Sequence, residues 1–111
     1  MERTKYFSKK VEVDGIKFDS KREANYYIKL KELENEGKIK DLELQKNYLL
    51  QEKFKLGNKT RREITYRADF TYVTTEDDKL HVVDVKGYRT EVYRLKKKLF
   101  EYKYGIELEE V

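Results

Sequence analysis

The stretch HVVDVKG, residues 81–87, places a carboxylate and an ammonium group inside an apolar strand. Successive strand side chains alternate between faces, so Asp84 and Lys86 share one face while Val83 and Val85 share the other. Burying a charge is costly unless the charge is paired or binds a metal. An ordinary salt bridge at a strand end is the alternative. Such exposed pairs contribute only about 0–1 kcal/mol, which gives little reason to interrupt an apolar strand.

A second carboxylate, Asp69, stands in the preceding predicted strand, in the sequence YRADFTY. If strands 64–74 and 80–86 pair around the turn TEDDK, Asp69 comes close to Asp84 and Lys86. Two carboxylates suit Mg²⁺, which takes oxygen ligands and keeps several waters. A metal there would polarise a phosphate and lower the pKa of a bound water, which Lys86 would orient. We therefore predict that Asp69 and Asp84 bind Mg²⁺, with Mn²⁺ as the other candidate.

A third carboxylate, Glu23, has two interpretations. It stands three residues after Ser20, which is the spacing of a capping box at the start of a helix. It also heads an apolar stripe that continues through Leu30 and Leu33 and should face the sheet. The two roles are compatible, and we expect the Glu23 carboxylate to approach Asp84.

The elements that must position these residues follow from periodicity and turn signals. Asp14-Gly15 predicts a hairpin, and the segment after it predicts a helix capped by Ser20 and Gly37. Strands are predicted in segments 39–56, 61–73, 80–86 and 106–111, and a second helix, capped by Thr90 and Gly105, in segment 89–104. The sequence thus predicts one domain over residues 1–111, an α/β or α+β fold with a mixed sheet flanked by helices.

The same periodicities predict which side chains are buried. On the long strand, alternation places Ile64, Tyr66, Ala68, Phe70 and Tyr72 on one face. On the second helix, three- and four-residue spacing predicts that Val92, Leu95, Leu99 and Tyr102 pack inward. The accessible residues of that helix would then be Arg94, Lys97, Lys98 and Glu101.

Composition excludes several classes of protein. The chain has 111 residues, enough for one core, and its 10 Tyr and 5 Phe favour a folded domain despite 43% charged residues. The absence of Cys excludes disulfides and thiol nucleophiles, and His81 alone cannot supply a His-rich zinc site. No stretch has the Gly-rich pattern of a phosphate-binding loop. Without a signal peptide or an apolar run of about 20 residues, we expect a cytoplasmic protein without membrane contact.

Basic residues concentrate in two segments. Segment 86–103 holds seven basic residues against two acidic ones. A second group consists of Lys53, Lys55, Lys59, Arg61, Arg62 and Arg67. Such clusters favour a polyanion such as nucleic acid, although a solvated helix face explains a lysine run equally well. The predicted nucleic-acid contacts are Arg89, Arg94, Lys97 and Lys98.

Glu23, Asp69 and the tripeptide 84–86, set on helix, strand, strand, helix and strand, resemble the PD-(D/E)XK nuclease superfamily. Within it, FDSKREANYY, ITYRADFTYV, VVDVKG and KKKLFEYKYGIEL resemble a small phage-encoded family of unknown function. The resemblance spans residues 11–111. It implies a restriction-endonuclease-like or Holliday-junction-resolvase-like αβββαβ core and metal-dependent cleavage of DNA. Asp69 and Asp84 would hold the metal, Lys86 would act on the water, and Glu23 would support the site.

Two positions qualify this resemblance. Ala68 stands where the motif has proline, a position at which the superfamily tolerates variation. Gln45 corresponds to a strand glutamine that some members place in the site, although an exposed strand glutamine is the ordinary explanation. 

The resulting functional hypothesis is a structure-selective endonuclease that cuts branches, flaps or ends during phage DNA recombination, replication or processing in the host cytoplasm. The first alternative is a catalytically silent relative that binds DNA or docks in a phage replication or recombination complex. The second is an interaction domain whose acids and lysines form salt bridges. A homodimer is compatible with the first hypothesis, because cutting two strands symmetrically needs two sites.

Overall fold

The computed structural model describes residues 10–85 and 89–111, which form two helices, a mixed central sheet and two hairpins. The N-terminal hairpin joins β1 (Val11–Val13) to β2 (Ile16–Phe18). Asp14 and Gly15 both have positive φ, at 55° and 77°. This is the geometry that a two-residue hairpin turn requires, so the Asp-Gly signal in the sequence is confirmed.

The predicted caps of helix α1 (Lys21–Asn35) are also confirmed. Ser20 Oγ accepts a hydrogen bond of 3.1 Å from the Glu23 amide. Gly37 follows the last turn at φ 76°, and the Lys38 amide bonds back to the helix at 2.9 Å. These bonds satisfy backbone groups that a helix end otherwise leaves without partners.

The central sheet has the strand order β3-β6-β7-β8. Its strands are β3 (Ile39–Gln51), β6 (Ile64–Thr74), β7 (Lys79–Asp84) and β8 (Leu108–Glu110). Two short strands, β4 (Phe54–Leu56) and β5 (Lys59–Arg61), form a separate hairpin between β3 and β6. The first three sheet strands are antiparallel, while β8 runs parallel to β7 after the crossover helix α2 (Glu91–Tyr104). Without the β4–β5 insertion, the order from α1 onward is the αβββαβ core that the sequence predicts.

Buried side chains form one cluster on each face of the sheet. The cluster against α1 and the N-terminal hairpin contains Phe18, Ala24, Tyr27, Leu30, Ile39, Phe70, Tyr72 and Val83. The cluster against α2 contains Tyr48, Tyr66, Ala68, Val82, Tyr93, Phe100 and Leu108. The sheet is therefore covered by one helix on each side, with aromatic rings supplying most of the packing.

The prediction that alternate residues of β6 share one face is wrong. Tyr66 and Ala68 pack against α2, whereas Phe70 and Tyr72 pack against α1. The exchange of faces occurs at Asp69, where the regular alternation is broken. On the neighbouring strand the opposing residue, Gln45, has a φ of 57°, outside the extended conformation of a strand. The backbone irregularity lies at the residues for which we predict chemistry.

The predicted inner face of α2 is also wrong. The helix buries Tyr93 and Phe100, which pack against Tyr66 of the sheet. The four residues predicted to point inward are instead exposed by 63, 58, 38 and 90%: Val92, Leu95, Leu99 and Tyr102. Two apolar stripes compete for the core on this helix. The aromatic stripe wins because its rings bury more area than the aliphatic side chains would.

The β4–β5 hairpin stands apart from the rest of the fold. We call residues 53–62 the arm; every one of them is exposed. Its strands contact each other but no other helix or strand of the described chain. Neither α1 nor α2 is long and apolar enough to span a bilayer, within the residues that the structure describes.

Candidate active site

The register of the sheet brings the predicted chemical residues into one row. Leu44 and Lys46 pair with Phe70 and Ala68, which sets Gln45 opposite Asp69. Extending the pairing of Phe70 with Val83 by one residue sets Asp69 opposite Asp84. On the far side, Asp84 pairs with Glu110 of β8. A row of polar residues therefore crosses all four strands, in the order Gln45, Asp69, Asp84 and Glu110.

This row opens into a cavity of about 330 Å³ between the N-terminal ends of the two helices. The residues that line it are Asp19, Gln45, Tyr66, Arg67, Asp69, Asp84, Thr90, Val92, Tyr93 and Lys96. We call this the acidic cavity. Asp69 and Asp84 lie on its floor, and Asp84 is almost completely buried, at 2% exposure.

The two aspartates are held by groups of the sheet. The Val85 amide donates to Asp69 Oδ2 at 2.7 Å. The Tyr66 hydroxyl donates to Asp84 Oδ2. The carboxyl group of Asp84 lies close enough to Asp69 to raise the pKa of Asp69. This repulsion between like charges favours a proton on Asp69.

Glu23 reaches the cavity through Gln45. The Gln45 side-chain amide donates to Glu23 Oε2 at 3.3 Å, and Glu23 is buried to 8% exposure. The Glu23 backbone amide serves the Ser20 cap, while its carboxylate faces the sheet. The two expected positions of Glu23 are therefore both found: its amide bonds to the helix cap, and its carboxylate lies beside the cavity.

Electrostatics confirm that the carboxyl groups interact. Burial, together with the nearby carboxyl groups of Asp84 and Glu23, raises the pKa of Asp69 to about 7, against the lowering effect of the Val85 amide. Burial also raises the pKa of Glu23, and the charges of Asp19 and Asp84 add to this effect. Desolvation and the bond to Asp84 raise the pKa of Tyr66, so its hydroxyl keeps its proton and donates.

The donor set of this pair fits a hard divalent cation. Mg²⁺ takes carboxylate oxygens together with several waters, and a site of one or two carboxylates is usual for it. A cation between Asp69 and Asp84 would replace the proton that the raised pKa favours on Asp69, and it would relieve the repulsion between the two carboxylates. No group of three or more His, Asp or Glu side chains within residues 10–85 and 89–111 forms a preassembled metal site. The fit is therefore to two aspartates, with water and phosphate completing the shell.

The predicted basic residues are placed unevenly. Lys86 lies outside the described residues. Arg89 and Lys97 both form ion pairs with Glu110, at 3.1 and 3.5 Å. Arg94 and Lys98 are exposed on α2. Neither lines the acidic cavity.

Two cations that sequence reasoning did not assign to the site line the cavity instead. Lys96 projects from α2, and Arg67 projects from β6. At about 100° per residue, Lys98 points about 160° away from Lys96 around α2. Lys96 lies one helical turn after Val92. This spacing identifies Lys96 as a cavity residue only if the buried face of α2 is assigned correctly. The alternation of β6 predicts only a core position for Tyr66, and no signal in the sequence pairs its hydroxyl with Asp84.

The comparisons with known proteins give a family. Residues 3–110 match DUF1064, which is described as a protein of unknown function. Neither a curated protein nor a solved structure matches the chain. Since the match covers nearly every residue, this chain belongs to the family of unknown function DUF1064.

Proposed function

We propose that this protein is a divalent-metal-dependent DNA endonuclease that hydrolyses phosphodiester bonds at the acidic cavity. The single observation that supports this most strongly is the opposition of Asp69 and Asp84 on neighbouring strands of one cavity. A buried Asp84 beside a half-buried Asp69, whose pKa is raised to about 7, is costly for a purely structural pair. A cation-binding role gives a reason for keeping both.

The residues around the pair supply orientation. The Tyr66 hydroxyl and the Val85 amide each occupy one carboxylate oxygen, so both aspartates are positioned before substrate arrives. A cation held by Asp69 and Asp84 would supply the charge that polarises the scissile phosphate and lowers the pKa of an attacking water. Lys86 would hold that water, as the sequence predicts.

The cations that line the cavity account for the binding of the phosphate. Arg67 and Lys96 project into the space that a phosphodiester must enter. Their charge-assisted hydrogen bonds to nonbridging oxygens would fix the backbone without selecting a base. We therefore propose a substrate chosen by its structure, such as a branch, a flap or an end.

The decisive experiment is cleavage of labelled branched, flapped, duplex and single-stranded DNA with Mg²⁺, Mn²⁺ or EDTA. We compare the wild type with Asp84→Asn, which keeps an acceptor for the Tyr66 hydroxyl but loses the charge. The matched control is Asp78→Asn, an exposed turn residue at φ 56°, a conformation that asparagine tolerates well. Metal-dependent cutting that is lost in Asp84→Asn and kept in Asp78→Asn would support the proposal.

Equal activity of Asp84→Asn and the wild type would overturn the assignment of the site. Cutting in EDTA would overturn the requirement for a metal. Lys86→Ala tests the residue outside the described part of the chain, and it should lose cutting while keeping DNA binding.

A second candidate function is DNA binding without cleavage. The observation that favours it is that the Tyr66 hydroxyl and the Val85 amide already donate to the two carboxyl groups without a metal. Binding that survives in every variant, with no cutting under any metal, would select this candidate over the nuclease.

A further inference from the structure

The arm is an element whose position the fold does not explain. Its ten residues are all exposed, and β4 and β5 touch no other element of the described chain. It extends the ends of β3 and β6, whose last paired residues are Gln51 and Ile64. A two-stranded hairpin alone is marginally stable in water, so packing does not explain why the chain keeps it.

The arm has a strongly one-sided charge. Its ten residues include five basic side chains and no acidic one: Lys53, Lys55, Lys59, Arg61 and Arg62. None of the five forms an ion pair with another residue of the described chain. This contrasts with Arg89 and Lys97, which both form ion pairs with Glu110. The cations of the arm are therefore exposed and accessible to a partner.

The register of the arm gives its two faces different surfaces. Phe54 lies opposite Arg61, and Leu56 lies opposite Lys59, so one face combines two apolar side chains with two cations. Lys55 and Thr60 pair on the other face. A ribbon with cations on both faces suits a cleft with anionic walls on either side. The major groove of duplex DNA is such a cleft, and it is wide enough for a two-stranded ribbon.

We propose that the arm lies in the major groove of duplex DNA, within about one helical turn of the phosphodiester at the acidic cavity. This inference rests on the proposed function of that cavity. A second copy of the chain is a poorer occupant, because the chain has a net charge of +4 and offers no compensation for five cations. The arm would bind phosphates of the groove walls and give affinity without base preference.

The distance follows from strand geometry. Arg61 is eight residues from Asp69 along the chain, which is at most roughly 26 Å at the rise of a strand, because residues 62 and 63 lie between β5 and β6. Lys59 is ten residues away, or at most roughly 33 Å. One turn of B-DNA is about 34 Å, so the arm reaches the groove within roughly ten base pairs of the cavity.

The test is binding in EDTA, so that it does not depend on cleavage. Fluorescence anisotropy of labelled duplexes of about 30 and about 12 base pairs is measured over a range of salt concentration. The arm variant is Lys55→Gln, Lys59→Gln and Arg61→Gln. The control is Lys38→Gln, Lys40→Gln and Lys79→Gln, with the same change of charge at the opposite end of β6.

For the arm variant, we expect the slope of log K against log salt to be smaller in magnitude by about two to three. Each phosphate contact contributes about 0.9 to this slope. The control should change the slope by less than about one. The wild type should bind the longer duplex more tightly than the shorter one, and the arm variant should not distinguish them. A second variant, with residues 53–62 replaced by Asn-Gly, should behave as the arm variant does, because that turn joins two strands directly.

Three results would overturn the inference. Equal loss in the arm and control variants would mean that only total charge matters. If the arm substitutions weakened binding to single-stranded DNA but not to duplex DNA, the major groove would be excluded as the binding site of the arm. A change from dimer to monomer in sedimentation of the arm variant would assign the arm to a second copy. If arm-dependent binding is found but no substrate is ever cut, the proposed nuclease activity fails while the arm assignment stands.

Discussion

Asp69 is the residue at which the geometry and the chemistry of this chain meet. It stands at the point where β6 changes its buried face, opposite Gln45 on one side and Asp84 on the other. The break in alternation lets a single strand carry Ala68 into one core, Phe70 into the other, and a carboxyl group between them. A regular strand would not provide that arrangement.

The raised pKa of Asp69 predicts how stability depends on pH. The unfolded value is about 3.9, and the folded value is raised to about 7 by burial and by neighbouring carboxyl groups. The folded state therefore holds the proton more tightly. This contribution to stability is fully present below about pH 4 and is lost as the pH rises through about 7.

We therefore expect the metal-free wild type to have a larger free energy of unfolding at pH 5 than at pH 8. Asp69→Asn should flatten this dependence by about 1 kcal/mol or more, since one pKa unit corresponds to about 1.4 kcal/mol and the cavity is partly open to solvent. Urea unfolding in EDTA measures it, with Asp78→Asn as the control. A wild type and an Asp69→Asn variant with the same pH dependence would contradict the raised pKa of Asp69.

Binding of a cation should compete with that proton. We expect Mg²⁺ or Mn²⁺ to raise the melting temperature more at pH 8 than at pH 5.5, because the carboxyl pair must lose its proton to bind. Calorimetric titration in two buffers of different ionisation enthalpy should detect proton release. Asp69→Asn and Asp84→Asn should abolish both effects, and Asp78→Asn should keep them.

At the scale of elements, the orientation of helix α2 decides which of its side chains are buried and which reach the acidic cavity. The side of α2 that packs Tyr93 and Phe100 against the sheet also brings Lys96 to the acidic cavity, because Lys96 lies about one helical turn from each of them. Thr90 caps the helix by accepting from the Tyr93 amide at 3.0 Å. The cap therefore helps to set which face of the helix meets the cavity.

The assignment of the buried face predicts unequal costs of truncation. Phe100→Ala should lower the free energy of unfolding by about 3–5 kcal/mol, the usual cost of removing a buried phenyl ring. Leu95→Ala, at a side chain that is 58% exposed, should cost about 0.5 kcal/mol or less. Chemical denaturation of the two variants checks this directly. A larger cost for Leu95→Ala than for Phe100→Ala would mean that the buried face of α2 is the one that periodicity alone indicates.

The orientation of α2 also predicts which lysine serves the substrate. Lys96→Ala should reduce cleavage or DNA affinity by about 10- to 100-fold, because a charge-assisted hydrogen bond contributes about 1.5–3 kcal/mol. Lys98→Ala, on the far side of the helix, should change either quantity less than about threefold. Both residues are lysines of one helix, so they share composition and local charge. If only Lys98→Ala reduced cleavage or DNA affinity, the nucleic-acid-binding side of α2 would be the one predicted from the sequence.

At the scale of the whole molecule, the packed core and the arm are structurally separate. The sheet and its two helices bury the aromatic residues and form the cavity. The arm adds charge and length without adding packing. Under the proposed function, the core would cut DNA and the arm, between Gln51 and Ile64, would bind it.

This division predicts that the arm is dispensable for folding. Replacing residues 53–62 with Asn-Gly should change the free energy of unfolding by less than about 1 kcal/mol, since no buried contact is lost. Equilibrium unfolding in urea measures this free energy. The slope of the free energy against urea concentration, divided by the number of residues, should not change. A loss of several kcal/mol would mean that the arm packs against the core in solution.

The sequence by itself determined the two helices, the N-terminal hairpin and the order of the four sheet strands. It did not separate the β4–β5 hairpin from the strands predicted over 39–56 and 61–73. The Asp-Gly turn, the Ser20 and Thr90 caps and the terminal glycines are local signals, and each produces the same local geometry in the structure. The approach of Asp69 to Asp84 was also predictable, because a short turn between two strands leaves few registers. These features depend on neighbours along the chain.

Tertiary structure decided which faces are buried and which cations reach the cavity. On α2, the apolar residues and the aromatic residues each form a helical stripe, and only contact with Tyr48 and Tyr66 of the sheet selects the aromatic one. On β6, the change of face at Asp69 depends on the irregular backbone of the adjacent strand at Gln45. The hydroxyl of Tyr66 meets Asp84 across eighteen residues. Periodicity describes one element at a time, whereas burial is a competition between elements, and that competition is resolved only when they pack.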